Sequence, residues 1–273
     1  MDWIEGIPGT RTDEVDAAGL DRGLLAARGA DAMLKMVLID GLFHADPHPG
    51  NTFFVAGNRI ALIDFGMVGW LSERRREELV DLLGGVATRD ADAMRDVLIR
   101  WADGRRVSSE RFAEDLGRLL HLYEHATLRE MNIGTLLADI AGVLREHHLF
   151  LPPDLALLFK ALITLEGLGS RLVPHFRLIE HVTPYVTRIM IARALLGSPR
   201  VLLVDEPTEG LAPAIVSQLK DVFADVRRKT ALVIVEQNLP LVCAISDRIY
   251  AMKEGRLVAE LSGATPQEVE AYV

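Results

Sequence analysis

The sequence predicts an α+β protein: a mostly helical unit carrying one short β-hairpin, followed by a smaller α/β segment. Three observations lead there. Apolar residues recur at helical spacing over residues 31–186, for example Leu79, Leu82, Leu83 and Val86, then Met94, Val97, Leu98 and Trp101. Within that half, Thr52-Phe53-Phe54-Val55 and Arg59-Ile60-Ala61-Leu62-Ile63 flank Ala56-Gly57-Asn58, where Gly and Asn can take the positive φ of a tight turn. Near residue 190 the pattern changes to strand, helix, strand, with the apolar runs Val201-Leu202-Leu203-Val204 and Ala231-Leu232-Val233-Ile234-Val235.

In chain order, a helix is expected over 31–43, then a loop, then the hairpin. Folding the hairpin back on itself should bring Asn51, just before it, close to Asp64, just after it, so that two oxygen ligands converge on one cation. The helices that follow should break at Gly104, at Asn132-Ile133-Gly134, at Pro152-Pro153 and at Pro174. Ser72 and Asp154 are the expected N-caps, each offering an oxygen to unpaired amides. The apolar stretch 155–168 is interrupted by Lys160 and Glu166 and falls short of the roughly 20 residues that cross a bilayer, so it reads as a buried helix. Beyond 190, strands are expected at 200–205, 231–236, 248–252 and 256–260 with a helix at 214–228. The runs at 201–204 and 231–235 suit strands buried on both faces of a parallel sheet. No internal repeat, low-complexity tract or Gly/Ser linker separates the halves, so the join should be helical.

Composition narrows the functional classes. A chain of 273 residues with 49% hydrophobic residues can bury two cores. Its net charge of −9 argues against a nucleic-acid partner, which needs a basic face. The single Cys243 excludes an internal disulfide and suits a reducing compartment. The opening Met1-Asp2-Trp3-Ile4-Glu5-Gly6 has no targeting pattern, and no transmembrane segment is expected. The expected location is the cytoplasm, or the periphery of the inner membrane.

The first constellation is His44-Ala45-Asp46-Pro47-His48-Pro49-Gly50-Asn51, followed by Asp64-Phe65-Gly66 thirteen residues after Asn51. It resembles the protein-kinase catalytic loop His-x-Asp-x-x-x-x-Asn with its Asp-Phe-Gly, and in wording it is similar to the UbiB (AarF) family of atypical kinases. The likeness runs from a hinge-like Met1-Asp2-Trp3-Ile4-Glu5-Gly6-Ile7-Pro8 to the helices after Leu151-Pro152-Pro153 and to Thr183-Pro184-Tyr185. The resemblance implies a kinase-like large lobe over 1–187, ATP and Mg²⁺ as cofactors, and ATPase or kinase-like activity linked to ubiquinone biosynthesis. It casts Asp46 as the catalytic carboxylate facing the attacking hydroxyl or water, with Asn51 and Asp64 holding magnesium. His44 and Gly66 complete the implied nucleotide-binding set. Phosphoryl transfer needs such types: a carboxylate to orient the nucleophile, and hard oxygens to place Mg²⁺ between phosphates. His44 can equally brace the loop through a backbone hydrogen bond, and His48 reads as structural. A His44/Asp46/His48 transition-metal site is the rival reading, since zinc accepts those ligands.

Only 43 residues precede His44, and Lys35, the sole lysine among them, falls in the helix expected just before the loop. A phosphate-gripping lysine and the family's Lys-x-Gly-Gln segment are not found, so the small lobe is expected to be missing.

The second constellation resembles the C-terminal half of an ABC-transporter ATPase, closest in wording to subunits of branched-chain amino-acid importers. Residues 191–196 resemble the helix after the signature motif, and Val201-Leu202-Leu203-Val204-Asp205-Glu206-Pro207 a Walker B strand. Thr208-Glu209-Gly210-Leu211-Ala212-Pro213 resembles a D-loop, and Val235-Glu236-Gln237-Asn238 the switch loop. The resemblance implies a partial RecA-like (P-loop NTPase) segment over 188–273, with Asp205 binding magnesium, Glu206 polarising the attacking water and Gln237 at the switch position. No Gly-Lys pair occurs in the sequence, so a Walker A loop is not expected. The chain is thus expected to be a truncated fusion with weak or incomplete activity, its partners a nucleotide and a separate chain supplying the missing small lobe or ABC half. A catalytically inactive binding or assembly module is the alternative.

Overall fold

The computed structural model describes residues 3–87, 90–102, 109–123, 131–208 and 213–272. The expected break at Gly104 and residues 209–212 of the D-loop-like segment lie outside the described residues, as do the first two residues of the hinge-like segment. The chain divides into two compact units, 1–186 and 187–273.

In the first unit, strand β1 (Ile7–Pro8) precedes helix α1 (Arg22–Leu34). Asp21 caps α1 by accepting from the Leu24 amide. The helix therefore starts nine residues before the predicted 31, and it does not reach 43. A π-helical turn at Lys35–Asp40 succeeds it and ends at Gly41, whose φ of 70° is the left-handed stop that glycine permits. A side chain there would also strike the Leu71 carbonyl oxygen at 2.8 Å. The chain then enters β2 (Leu42–His44), which pairs antiparallel with β5 (Val68–Trp70). Phe43 is strand, where the sequence suggested helix, because its ring packs over Gly69 inside this ribbon.

The predicted hairpin is present as β3 (Thr52–Val55) and β4 (Arg59–Leu62), with Gly57 at φ 77° and Asn58 at φ 56°. Asn58 Oδ1 accepts from the Asp21 amide at 2.7 Å, which ties the hairpin tip to the start of α1. Strand β1 adds to the other side of β3.

Among the described residues, α2 (Glu73–Ala87), α3 (Ala91–Trp101), α4 (Ser109–Leu122), α5 (Ile133–Glu146) and α6 (Pro153–Leu172) follow. Ser72 caps α2 through the Arg75 amide at 3.2 Å, as its position suggested. Asp154 is not the cap of α6. Pro153 occupies the first helical position, its fixed φ suited to a helix start, and puts Asp154 one residue inside the first turn. Its carboxylate instead lies 3.7 Å from the Arg75 guanidinium.

The core of this unit gathers Leu25, Met33, Phe43, Phe54, Leu155 and Leu158. Two acids are buried within it. Glu78 accepts from Trp101 Nε1 at 2.9 Å and from Arg74 and Arg75, joining α2 to α3. Glu166, only 2% exposed, accepts from the amides of Ile133 and Gly134 at the start of α5 and of Leu178, the first residue of α7 (Leu178–Leu196).

The second unit opens with the parallel pair β6 (Val201–Asp205) and β7 (Ala231–Val235), joined through α8 (Pro213–Val226). After α9 (Leu239–Ile245), strands β8 (Ile249–Lys253) and β9 (Arg256–Leu261) form an antiparallel ribbon, and α10 (Pro266–Glu270) closes the chain. Leu202, Val204, Leu232 and Ile234 pack on a core of Leu219, Phe223 and Leu241. The opposite face holds Val201, Leu203, Val233 and Val235, all exposed, with Leu203 at 67%. Burial on both faces, expected from the runs, is therefore not what these strands have: α8 and α9 cover one side.

Candidate functional site

β2 delivers His44 into the interior, where it is 1% exposed. Its Nε2 lies 2.9 Å from the Ile63 carbonyl oxygen, and its Nδ1 accepts from the Asp46 amide at 3.1 Å. An amide can only donate and a carbonyl can only accept, so this network assigns the ring proton to Nε2. The ring also packs 5.0 Å from that of Phe65. One buried imidazole thereby joins the loop carrying Asp46 to the segment carrying Asp64. Both of its nitrogens are engaged by backbone, and neither is left for a metal. The His44/Asp46/His48 zinc reading loses its first ligand on that geometry.

The hairpin supplies a second tie. The Ile63 amide donates to the Asn51 carbonyl at 2.9 Å, one step beyond the Thr52 and Leu62 pair. Asn51 is buried, and its Nδ2 donates to the Asp46 carbonyl at 3.2 Å, which leaves Oδ1 as the remaining acceptor of the amide. Asp64 takes φ 57°, a left-handed conformation that costs a non-glycine residue of order 1 kcal/mol and concentrates at functional sites. Its Oδ1 accepts from the Gly66 amide at 3.2 Å, so Gly66 shapes the turn around the carboxylate.

Asp46 is held from two sides. The Lys160 ammonium lies 2.9 Å from Oδ1, and His48 Nε2 lies 3.8 Å from Oδ2. The Lys160 hydrogen bond holds the Asp46 carboxyl below the usual carboxylate range. His48 Nδ1 accepts from the Gly50 amide, closing the loop on itself. Lys160 stands on α6, far along the chain from the loop, and in the sequence it shows only as a charge interrupting an apolar run.

In the second unit, Asp205 ends β6 opposite Val235 of β7. Glu206 follows at φ 41°, with its amide donating to the Val235 carbonyl at 2.8 Å. Gln237 Nε2 donates to Glu206 Oε1 at 2.8 Å, so two of the three side chains named for this unit meet. Glu236 lies in the switch-like segment with no role of its own legible in the sequence. Its carboxylate accepts from the Thr208 amide and hydroxyl and from the amides of Gln237 and Asn238, binding the two strand-end loops together.

Among the described residues, no three His, Cys, Asp or Glu side chains gather as a metal site. Magnesium asks for less: one or two protein oxygens suffice, because it keeps waters and takes phosphate oxygens. Asn51 Oδ1 and the Asp64 carboxylate fit that requirement in kind. No described helix is long and apolar enough to cross a membrane.

Comparison with known proteins gives the first unit a family context. Residues 1–98 match the model of the ABC1 atypical kinase-like domain, and residues 116–177 that of the UbiB helical domain. The uncharacterized protein slr1919 of Synechocystis is 31% identical over 194 residues, 70% of this chain and 34% of its own length. Protein ACTIVITY OF BC1 COMPLEX KINASE 1, chloroplastic, of Arabidopsis thaliana is 27% identical over 293 residues, 100% of this chain and 42% of its own length. This chain therefore spans well under half of either relative. Among solved structures, that of Rv3197 with erythromycin from Mycobacterium tuberculosis aligns with a TM-score of 0.36 at 19% identity, covering 64% of this chain and 49% of the other. Residues 1–177 thus belong to the ABC1/UbiB family of atypical kinase-like proteins.

Proposed function

We propose that the first unit binds ATP with magnesium and acts as a weak ATPase or kinase-like enzyme of UbiB type, in support of ubiquinone biosynthesis. Asp46 orients the attacking hydroxyl or water, and Asn51 Oδ1 and the Asp64 carboxylate hold the cation. Magnesium, when bound, neutralises phosphate charge and positions the terminal phosphoryl group. His44 moves no proton in this account; it keeps the Asp46 amide and the Ile63 carbonyl at a fixed separation. The observation that carries the reading is this brace, because it registers the nucleophile-orienting carboxylate against the metal-holding one.

ATP titration with and without magnesium, on the wild-type chain and Asp64→Ala, is the test. The expected result is binding in the millimolar range that requires magnesium and is lost in the variant. Binding indifferent to both would overturn the reading and leave a catalytically inactive binding or assembly module.

For the second unit we infer descent from an ABC-transporter ATPase of the branched-chain amino-acid importer type. The Glu206 and Gln237 hydrogen bond at the end of a parallel strand supports this, since it joins the carboxylate after the Walker B-like strand to the segment that resembles the switch loop. Asp205 would be its magnesium ligand. A shift of the Gln237 side-chain amide resonances on adding Mg-ATP is expected, and unchanged resonances at saturating nucleotide would sink the inference.

A further inference from the structure

The contact between Lys160 and Asp46 is expensive to explain as a stabilising device. The lysine is 51% exposed in its side chain and the aspartate 26%, and ion pairs of that exposure contribute about 0–1 kcal/mol while restricting a long side chain. What is fixed is the place from which the ammonium operates. Helix α6 is anchored along its length: Asp154 near its start faces Arg75, Leu155 and Leu158 are in the core, and Glu166 near its middle receives three backbone amides. Leu165 and Leu168 line one apolar cavity together with Pro47 of the loop and Phe54 and Ile60 of the hairpin. The helix is therefore packed against the very loop that carries Asp46, and Lys160 projects from it on a flexible four-carbon stem with three donors.

We propose that Lys160 is a phosphate-binding residue of this site, whose ammonium, held at 2.9 Å on Asp46 Oδ1, contacts the terminal phosphate of a bound nucleotide. This rests on the proposed nucleotide site and adds to it the cation that the motif residues do not provide. His44 and Asn51 direct N–H donors to the backbone carbonyls of Ile63 and Asp46, and Asp46 and Asp64 present carboxylate oxygens, which repel phosphate. Among the described residues, Lys160 is the lysine or arginine bonded to that set. A polyphosphate arriving beside Asp46 presents more negative charge than the single carboxylate, so the ammonium has a stronger acceptor within the reach of its stem. Asp46 is then released to accept from a hydroxyl or water.

The test is titration of ATP, ADP and AMP with magnesium into the full chain, as wild type, Lys160→Met and Lys160→Arg, with thermal unfolding confirming that each variant is folded. The expected result is ATP binding weakened about tenfold or more in the Met variant, the order of one lost charge-assisted hydrogen bond. AMP should be unchanged and the Arg variant should stay close to wild type for ATP. Equal weakening of ATP and AMP would show a general distortion of the site and overturn the inference, as would ATP binding unchanged in Lys160→Met. A wild-type chain that binds none of the three nucleotides would instead remove the nucleotide site itself, and with it this role.

Discussion

Replacing His44 with Ala removes the brace between the two acidic segments, and the structure lets its size be worked out. Two hydrogen bonds disappear, to the Ile63 carbonyl and from the Asp46 amide, each about 1 kcal/mol net. Both bonds are part-buried, so water replaces the lost partners incompletely, and the ring, 1% exposed and packed on Phe65, gives up roughly 1–2 kcal/mol of burial. The sum is about 3–4 kcal/mol, read as a lowered urea midpoint for the first unit. Hydrogen exchange adds a local readout, because the Asp46 amide should exchange markedly faster while the Glu166-bound amide of Gly134 keeps its relative protection. In the wild type, nitrogen NMR of the imidazole should show the proton on Nε2. A loss under about 1 kcal/mol, or a proton found on Nδ1, would refute the bracing role.

Glu166→Ala should cost about 3–5 kcal/mol in urea unfolding, since the buried bonds to the Ile133 and Gly134 amides, at 3.2 and 2.6 Å, vanish together; a loss below about 1 kcal/mol would contradict its anchoring role. Glu78 has its carboxyl pushed up by burial but pulled down further by hydrogen bonds from Arg74, Arg75 and Trp101, for a net position below its ordinary value of 4.5. Its contribution is therefore present above that value and lost as pH falls through the lower, folded-state one. Acid titration of unfolding free energy should show the wild type losing its advantage over Glu78→Gln across that window, and parallel curves for the two proteins would count against the assignment.

Much of the site was legible because local chemistry dictated it. Gly57 and Asn58 adopt the left-handed turn that their residue types suggested, and the hairpin they close does bring the Asn51 backbone against Ile63, next to Asp64. Ser72 caps as a serine before a charged helix should. The failures have physical causes of their own. β2 and β5 are three residues each, too short for alternation to register, and their pairing is set by Phe43 lying over Gly69. Asp154 was displaced from the cap by the proline ring before it. An apolar run states only that a strand is apolar, so the uncovered face holding Leu203 and Val233 could not be read from β6 and β7. Lys160 was invisible as a site residue because its partner comes from the packing of α6 on the loop, a contact between elements distant in sequence.

The central claim is that Asn51 and Asp64, registered through His44, form the cation position of a nucleotide site. Manganese, a paramagnetic substitute for magnesium, tests it at the residue level by NMR. In the presence of ATP, substoichiometric Mn²⁺ should broaden the amide resonances of Asn51 and Asp64 first, with broadening at those positions lost in Asp64→Ala. Broadening centred elsewhere in the first unit, or equally strong at these two amides in the variant, would contradict the account.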